Sequence, residues 1–172
     1  MDDWDKPSGG WRHHIRTCNM KERVRIHRKG GLFYISLFAR TKEGMTIEEI
    51  KASEECAETV AESATHVINS MLRPDEEWCI VTAPRRRHLE GHNFADAVSR
   101  KISEGVRIRY YEGAVQCINR NRIRPEFFLL REIKEQRIII FDDILTTGST
   151  LEALAALFED RKQIFCIIGI KN

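Results

Sequence analysis

Closely spaced cysteines are missing from this chain. Its five, Cys18, Cys56, Cys79, Cys117 and Cys166, are scattered, odd in number and never within three residues of one another. That excludes zinc-knuckle spacing. Cys79 and Cys166 sit in apolar strand patterns, where a reduced core thiol is expected. Long apolar runs are also absent. No window approaches the ~18 residues of a membrane span. The opening MDDWDKPSGGWRHH holds no apolar stretch of the kind a secretory signal uses. No membrane partner is therefore expected, and a reducing cytoplasm is the expected compartment. An excess of one charge is lacking too: the net charge is +2 over 172 residues, which argues against bulk nucleic-acid coating. No Gly-x-x-x-x-Gly-Lys occurs, so a nucleotide P-loop is excluded. The six histidines show no convincing metal-ligand spacing.

What is present fits one domain with a real core. Charge is unevenly spread. From Glu43 to Glu77, ten acids face only Lys51 and Arg73, a net of −8 that leaves +10 for the rest. The first twenty residues are polar and read as an arm. Arg23–His27 and Leu32–Ala39 are β-forming runs around Gly30-Gly31, a hairpin signal. Thr46 to Leu72 has helical spacing, a Thr46/Glu49 capping-box pattern and Pro74 as its stop. Strands are expected at 78–83, 106–111, 137–141 and 163–170, and helices at 91–102 and 149–159. The segment 112–131 reads as irregular and basic. The order βαβ, loop, βαβ implies a parallel sheet with right-handed crossovers. The expected division is an arm and hairpin over residues 1–45, a possible hood, and a core over 46–172.

The chemistry concentrates in RIIIFDDILTTGSTLEAL, residues 137–154. Ile138 to Phe141 fit a strand buried on both faces. Asp142 and Asp143 follow at its carboxyl end, where open α/β sheets bind ligands. Thr146, Thr147, Gly148, Ser149 and Thr150 then lead into a helix. Free N–H groups at a helix start, the helix dipole and hydroxyl donors together suit a phosphate monoester. Gly148 lets the backbone approach closely. Carboxylates only accept hydrogen bonds, so the paired acids suit a vicinal diol. Phosphate plus diol at this separation suggests a 5-phosphorylated ribose. A phosphoacceptor receiver domain also has an acidic pair, but after its first strand, and the hydroxyl-rich loop has no role there.

Segment 138–150 resembles the phosphoribosyl-pyrophosphate (PRPP) signature of type I phosphoribosyltransferases, position by position. The resemblance implies an α/β fold with a twisted, mainly parallel sheet flanked by helices, and a small N-terminal hairpin or hood. It also implies that Asp142 and Asp143 hold the ribose hydroxyls and that residues 146–150 hold the 5-phosphate. IVTAPRRRHLEGHNFADAVSRKI, residues 80–102, resembles the competence-associated, ComF-like branch, although the four-cysteine zinc module of that branch is missing here. By resemblance, Arg85, Arg86 and Arg87 contact pyrophosphate, with planar forks suited to phosphate oxygens. The segment 110–130 falls where the family carries a flexible loop that closes over PRPP and excludes water. Arg120, Arg122 and Arg124 are its candidate diphosphate contacts. The expected catalytic set is Asp142, Asp143 and Arg122.

The reaction so implied moves the 5-phosphoribosyl group of PRPP to a nitrogen acceptor and releases pyrophosphate. Mg²⁺ is expected to come with PRPP, held by ligand oxygens and water rather than by a dedicated protein site. The acceptor is unspecified, and a homodimer follows from the family alone. Two other readings stand beside this one. One is a non-catalytic module that senses PRPP or a nucleotide. The other is a DNA-handling protein, weakened by the mild net charge.

Overall fold

The computed structural model describes residues 16–75, 77–84, 93–119 and 124–172. Along the chain run β1 (Thr17–Cys18), β2 (Arg25–Lys29), β3 (Leu32–Ala39), β4 (Met45–Thr46), α1 (Ile47–Ala52), α2 (Glu54–Met71), β5 (Trp78–Thr82), α3 (Phe94–Val106), β6 (Arg109–Tyr110), β7 (Val115–Cys117), β8 (Phe127–Leu129), β9 (Arg137–Leu145), α4 (Ser149–Ala156) and β10 (Gln163–Lys171). Six strands form one sheet in the order β2-β3-β10-β9-β5-β6. Every neighbouring pair in it is parallel except β2 with β3. This is the mixed α/β architecture, a mainly parallel sheet with flanking helices, that the alternating pattern implies.

The central strands are apolar on both faces because both faces are covered. A strand sends successive side chains to opposite sides. Ile139 and Phe141 of β9 therefore join the buried cluster formed with α2 and α3. Ile138 and Ile140 join the cluster formed with Leu151 and Leu154 of α4. Each of these β9 side chains is fully buried, which stabilises the fold by about 1.5–3 kcal/mol apiece relative to exposure.

Cys79 and Cys166 lie in this core, and burial pushes both thiols up to about 12. Only the thiolate is nucleophilic. A raised value keeps both groups protonated across the neutral range, so neither reacts while the protein is folded. Cys117, half-buried on β7, is the accessible thiol among those described. Iodoacetamide at pH 8 followed by peptide mapping is expected to label Cys117 first. Equal labelling of Cys79 in the native protein would contradict this burial.

Several expected boundaries are corrected. The helix expected over 46–72 is two helices. Ser53 is extended (φ −96°, ψ 119°), and its side chain accepts the Cys56 N–H, capping α2. A serine in the middle of a helical pattern can serve as a new start, because its hydroxyl competes for backbone groups. The Thr46/Glu49 capping box is present as expected, at the start of α1. α3 begins at Phe94, capped by Asn93, and runs to Val106; Arg107 then takes the left-handed conformation and leaves only a short β6. Segment 112–131 is not irregular throughout: β7 and β8 pair as an antiparallel ribbon. The hairpin strand β3 lies inside the main sheet, parallel to β10.

Candidate functional site

The strand carrying the two acids continues past them. The expected end at Phe141 is corrected to Leu145. β9 pairs with β5 only as far as Thr82–Phe141, but with β10 through Leu145–Lys171. Residues 142–145 thus rise one step above β5, supported from the β10 side. The cause is the length of β10, whose apolar run 164–168 continues through Gly169 to Ile170. A Cβ at Gly169 would stand 2.7 Å from the Asp143 carbonyl oxygen, so the close approach of β10 to β9 requires glycine there.

This step lies where the sheet changes winding direction. From β5 the chain passes by α3 to β6 on one side, and from β9 it passes by α4 to β10 on the other. The two helices lie on opposite faces of the sheet. Ligands of open α/β sheets bind at such points.

Alternation does not run unbroken to the end of β9: after Phe141, Ile144 packs again with the α2/α3 cluster and Leu145 with the α4 cluster. Asp142 is buried, and its Oδ1 accepts the Asp143 N–H at 3.0 Å. The Asp143 carboxylate meets the Lys51 ammonium of α1 at 2.8 Å. The acids therefore lie within the strand rather than beyond it, Asp142 buried and Asp143 turned to α1.

Immediately after them, Thr146 and Thr147 are exposed and Gly148 is buried with φ +84°. Gly148 is the N-cap of α4 and offers no side-chain cap. The first-turn N–H groups of a helix have no partners within it. The hydroxyls of Thr147 and Ser149 meet at 3.1 Å across the turn. One contact comes from far away in sequence. Lys29, at the end of β2, donates from its ammonium to the Thr147 carbonyl and lies 3.7 Å from Glu152 of α4. A Cβ on Gly148 would come within 3.0 Å of this lysine side chain. The N-terminal hairpin thus brings a positive charge to the hydroxyl-rich turn.

A second polar network lies at the ends of β5 and β6. Asn93 caps α3 by accepting the Ala95 N–H, and its amide reaches Asp96 at 2.5 Å. Asp96 accepts the Tyr110 hydroxyl at 2.5 Å, and Thr82 lies 3.1 Å from the same hydroxyl. Burial first, and then the bond to Asp96, push the Tyr110 phenol far above its ordinary value. Tyr110 stays a neutral donor, and the network ties the ends of β5 and β6 to the start of α3.

Of the expected site residues, Asp142 and Asp143 lie in the last part of β9, and Thr146 to Thr150 span the turn and the start of α4. Arg124 is exposed in the connection between β7 and β8. Arg85, Arg86, Arg87, Arg120 and Arg122 lie outside the described residues. Lys29, Lys51, Asp96 and Gly169 were not anticipated. A lone glycine inside an apolar strand pattern is a usable signal of close backbone approach, and Gly169 fits it. Lone lysines in a hairpin and on a helix carry no such signal.

No family model and no curated protein matches the sequence at a significant level. Among solved structures, the chain is similar to a hypoxanthine phosphoribosyltransferase from Staphylococcus aureus, at 13% identity over 70% of this chain and 74% of that one, with a TM-score of 0.49. It is also similar to an adenine phosphoribosyltransferase from Leishmania tarentolae, at 10% identity over 76% of this chain and 79% of that one, with a TM-score of 0.49. Likeness at this level transfers no residue role.

Proposed function

We propose that this chain binds PRPP and transfers its 5-phosphoribosyl group to a nitrogen acceptor, a nucleobase or an amine, with release of pyrophosphate. The observation that carries the reading is the raised end of β9. There two adjacent carboxylates stand on a stretch of strand that β5 no longer pairs, and a glycine- and hydroxyl-rich turn follows at once into a helix start. In this reading the ribose lies against that stretch, giving one hydroxyl to Asp142 and one to Asp143. The 5-phosphate sits over residues 146–150 and takes N–H and O–H donors, each charge-assisted bond contributing about 1.5–3 kcal/mol. Lys29 adds positive charge beside the turn.

The resemblance of residues 80–102 to the ComF-like branch supports the further assignment of Arg85, Arg86 and Arg87 to the diphosphate. Arg120, Arg122 and Arg124 belong in the same scheme to the segment that closes over the ligand. The bond from the anomeric carbon to the diphosphate breaks, its electron pair leaves with pyrophosphate, the bond to nitrogen forms, and the acceptor sheds a proton to water. The protein's part is to position the ligand, spread charge and exclude water. Among the described residues no group of three or more His, Cys, Asp or Glu gathers as a metal cage. Mg²⁺ carried with the ligand would be held by ligand oxygens and water. Such an ion supplies charge neutralisation of the departing diphosphate.

The test is calorimetric titration of the full chain with PRPP and Mg²⁺, followed by a screen of bases and amines for pyrophosphate release. Saturable binding with acceptor-dependent release is expected. Saturable binding without release from any acceptor would favour the PRPP-sensing reading. No binding by folded protein would remove both.

A further inference from the structure

We propose that Lys51 is a positioning residue of the ribose subsite, acting through Asp143. The proposal rests on the reading of Asp143 as a sugar ligand and deepens it. Lys51 lies in the last turn of α1, a helix of six residues held at both ends. The Thr46/Glu49 capping box fixes its start, Ile50 is fully buried in the core, and the Ser53 N–H closes on the Ile50 carbonyl. The backbone beneath Lys51 is therefore rigid, and the ammonium is delivered to one carboxylate oxygen, Asp143 Oδ2, at 2.8 Å.

As a stability element this pair is minor. The Lys51 side chain is 43% exposed, and such pairs contribute about 0–1 kcal/mol. Its place in the fold is what gives it a role. Asp142 and Asp143 are adjacent acids at a site that must receive a polyanionic sugar phosphate. Lys51 neutralises one of them, so the site presents a smaller repulsive field. By occupying Oδ2 it also fixes the carboxylate plane and leaves Oδ1 as the acceptor for a hydroxyl. A carboxylate held in this way loses less rotational freedom when the sugar arrives.

The experiment is calorimetry of the full chain with PRPP and Mg²⁺, and separately with ribose 5-phosphate, which keeps the diol and the monoester but lacks the diphosphate. Lys51→Met is expected to weaken both ligands by about tenfold, the scale of one charge-assisted hydrogen bond. Lys51→Arg is expected to restore most of the affinity, and the melting temperature of both variants should stay near that of the wild type. In an Asp143→Asn background, Lys51→Met should have no further effect, because the two residues act as one unit. A wild type that binds and a Lys51→Met variant that binds equally well would overturn the proposal alone. A loss that persists undiminished in the Asp143→Asn background would overturn the route through Asp143. A folded wild type that binds neither ligand would instead overturn the ribose reading on which the proposal stands.

Discussion

The double substitution Asp142→Asn/Asp143→Asn is expected to weaken binding of PRPP with Mg²⁺ by at least about a hundredfold while the protein stays folded. Each carboxylate accepting a sugar hydroxyl supplies a charge-assisted bond of about 1.5–3 kcal/mol, and a factor of ten costs about 1.4 kcal/mol. An amide oxygen still accepts a hydrogen bond, so the lower end of that range applies. Asparagine matches aspartate in shape, and Asp142, although buried, keeps an acceptor for the Asp143 N–H. Titration calorimetry measures the affinity and circular dichroism checks the fold. The single variants divide the effect. Asp143→Asn also releases Lys51, so its cost includes the rearranged lysine, whereas Asp142→Asn reports the sugar contact more directly. Wild-type affinity in the folded double variant would remove the acids from the site.

The second large effect is expected at Gly169, which touches no proposed ligand. Gly169→Ala places a methyl group 2.7 Å from the backbone oxygen of Asp143. Backbone in the middle of a ladder cannot swing aside as a flexible side chain can. β10 and β9 must therefore separate locally, beside the pairs Ile168–Asp142 and Ile170–Ile144. Overpacking of this kind costs about 1–3 kcal/mol. For a chain of this size, that lowers the melting temperature by about 2–4 °C per kcal/mol. The same displacement moves the Asp143 carboxylate, so PRPP affinity should fall in parallel. Urea unfolding followed by titration of the folded variant tests both parts. An unchanged unfolding midpoint would show that the ladder accommodates the methyl group, and an unchanged affinity would uncouple the ladder from the site.

Much of the fold was legible in the sequence because its signals are local. The apolar run 138–141 needs burial on both faces, which a parallel sheet under two helical layers provides. Thr46 and Glu49 are three residues apart, and the capping box they form depends on little else. Gly30-Gly31 sits at the turn of the β2–β3 hairpin, where Gly30 takes φ +59°. The misplaced boundaries have equally concrete causes. β9 outruns its apolar pattern because β10 continues beside it and supplies ladder bonds to Asp142, Ile144 and Leu145. The ribbon β7–β8 has short strands of three residues each, too short for a period to emerge.

Read alone, the sequence determined the kind of sheet, the hydroxyl-rich turn after β9 and the pair of acids before it, since each is written within a few adjacent residues. Only the tertiary structure decided how the acids are presented, because β9 continues past Phe141 only while β10 supports it. It alone decided which distant charges attend the site. Lys29 reaches Thr147 across 118 positions of chain, and Lys51 reaches Asp143 from a different layer. Contacts of that length depend on packing two layers against one sheet, and no local pattern encodes them.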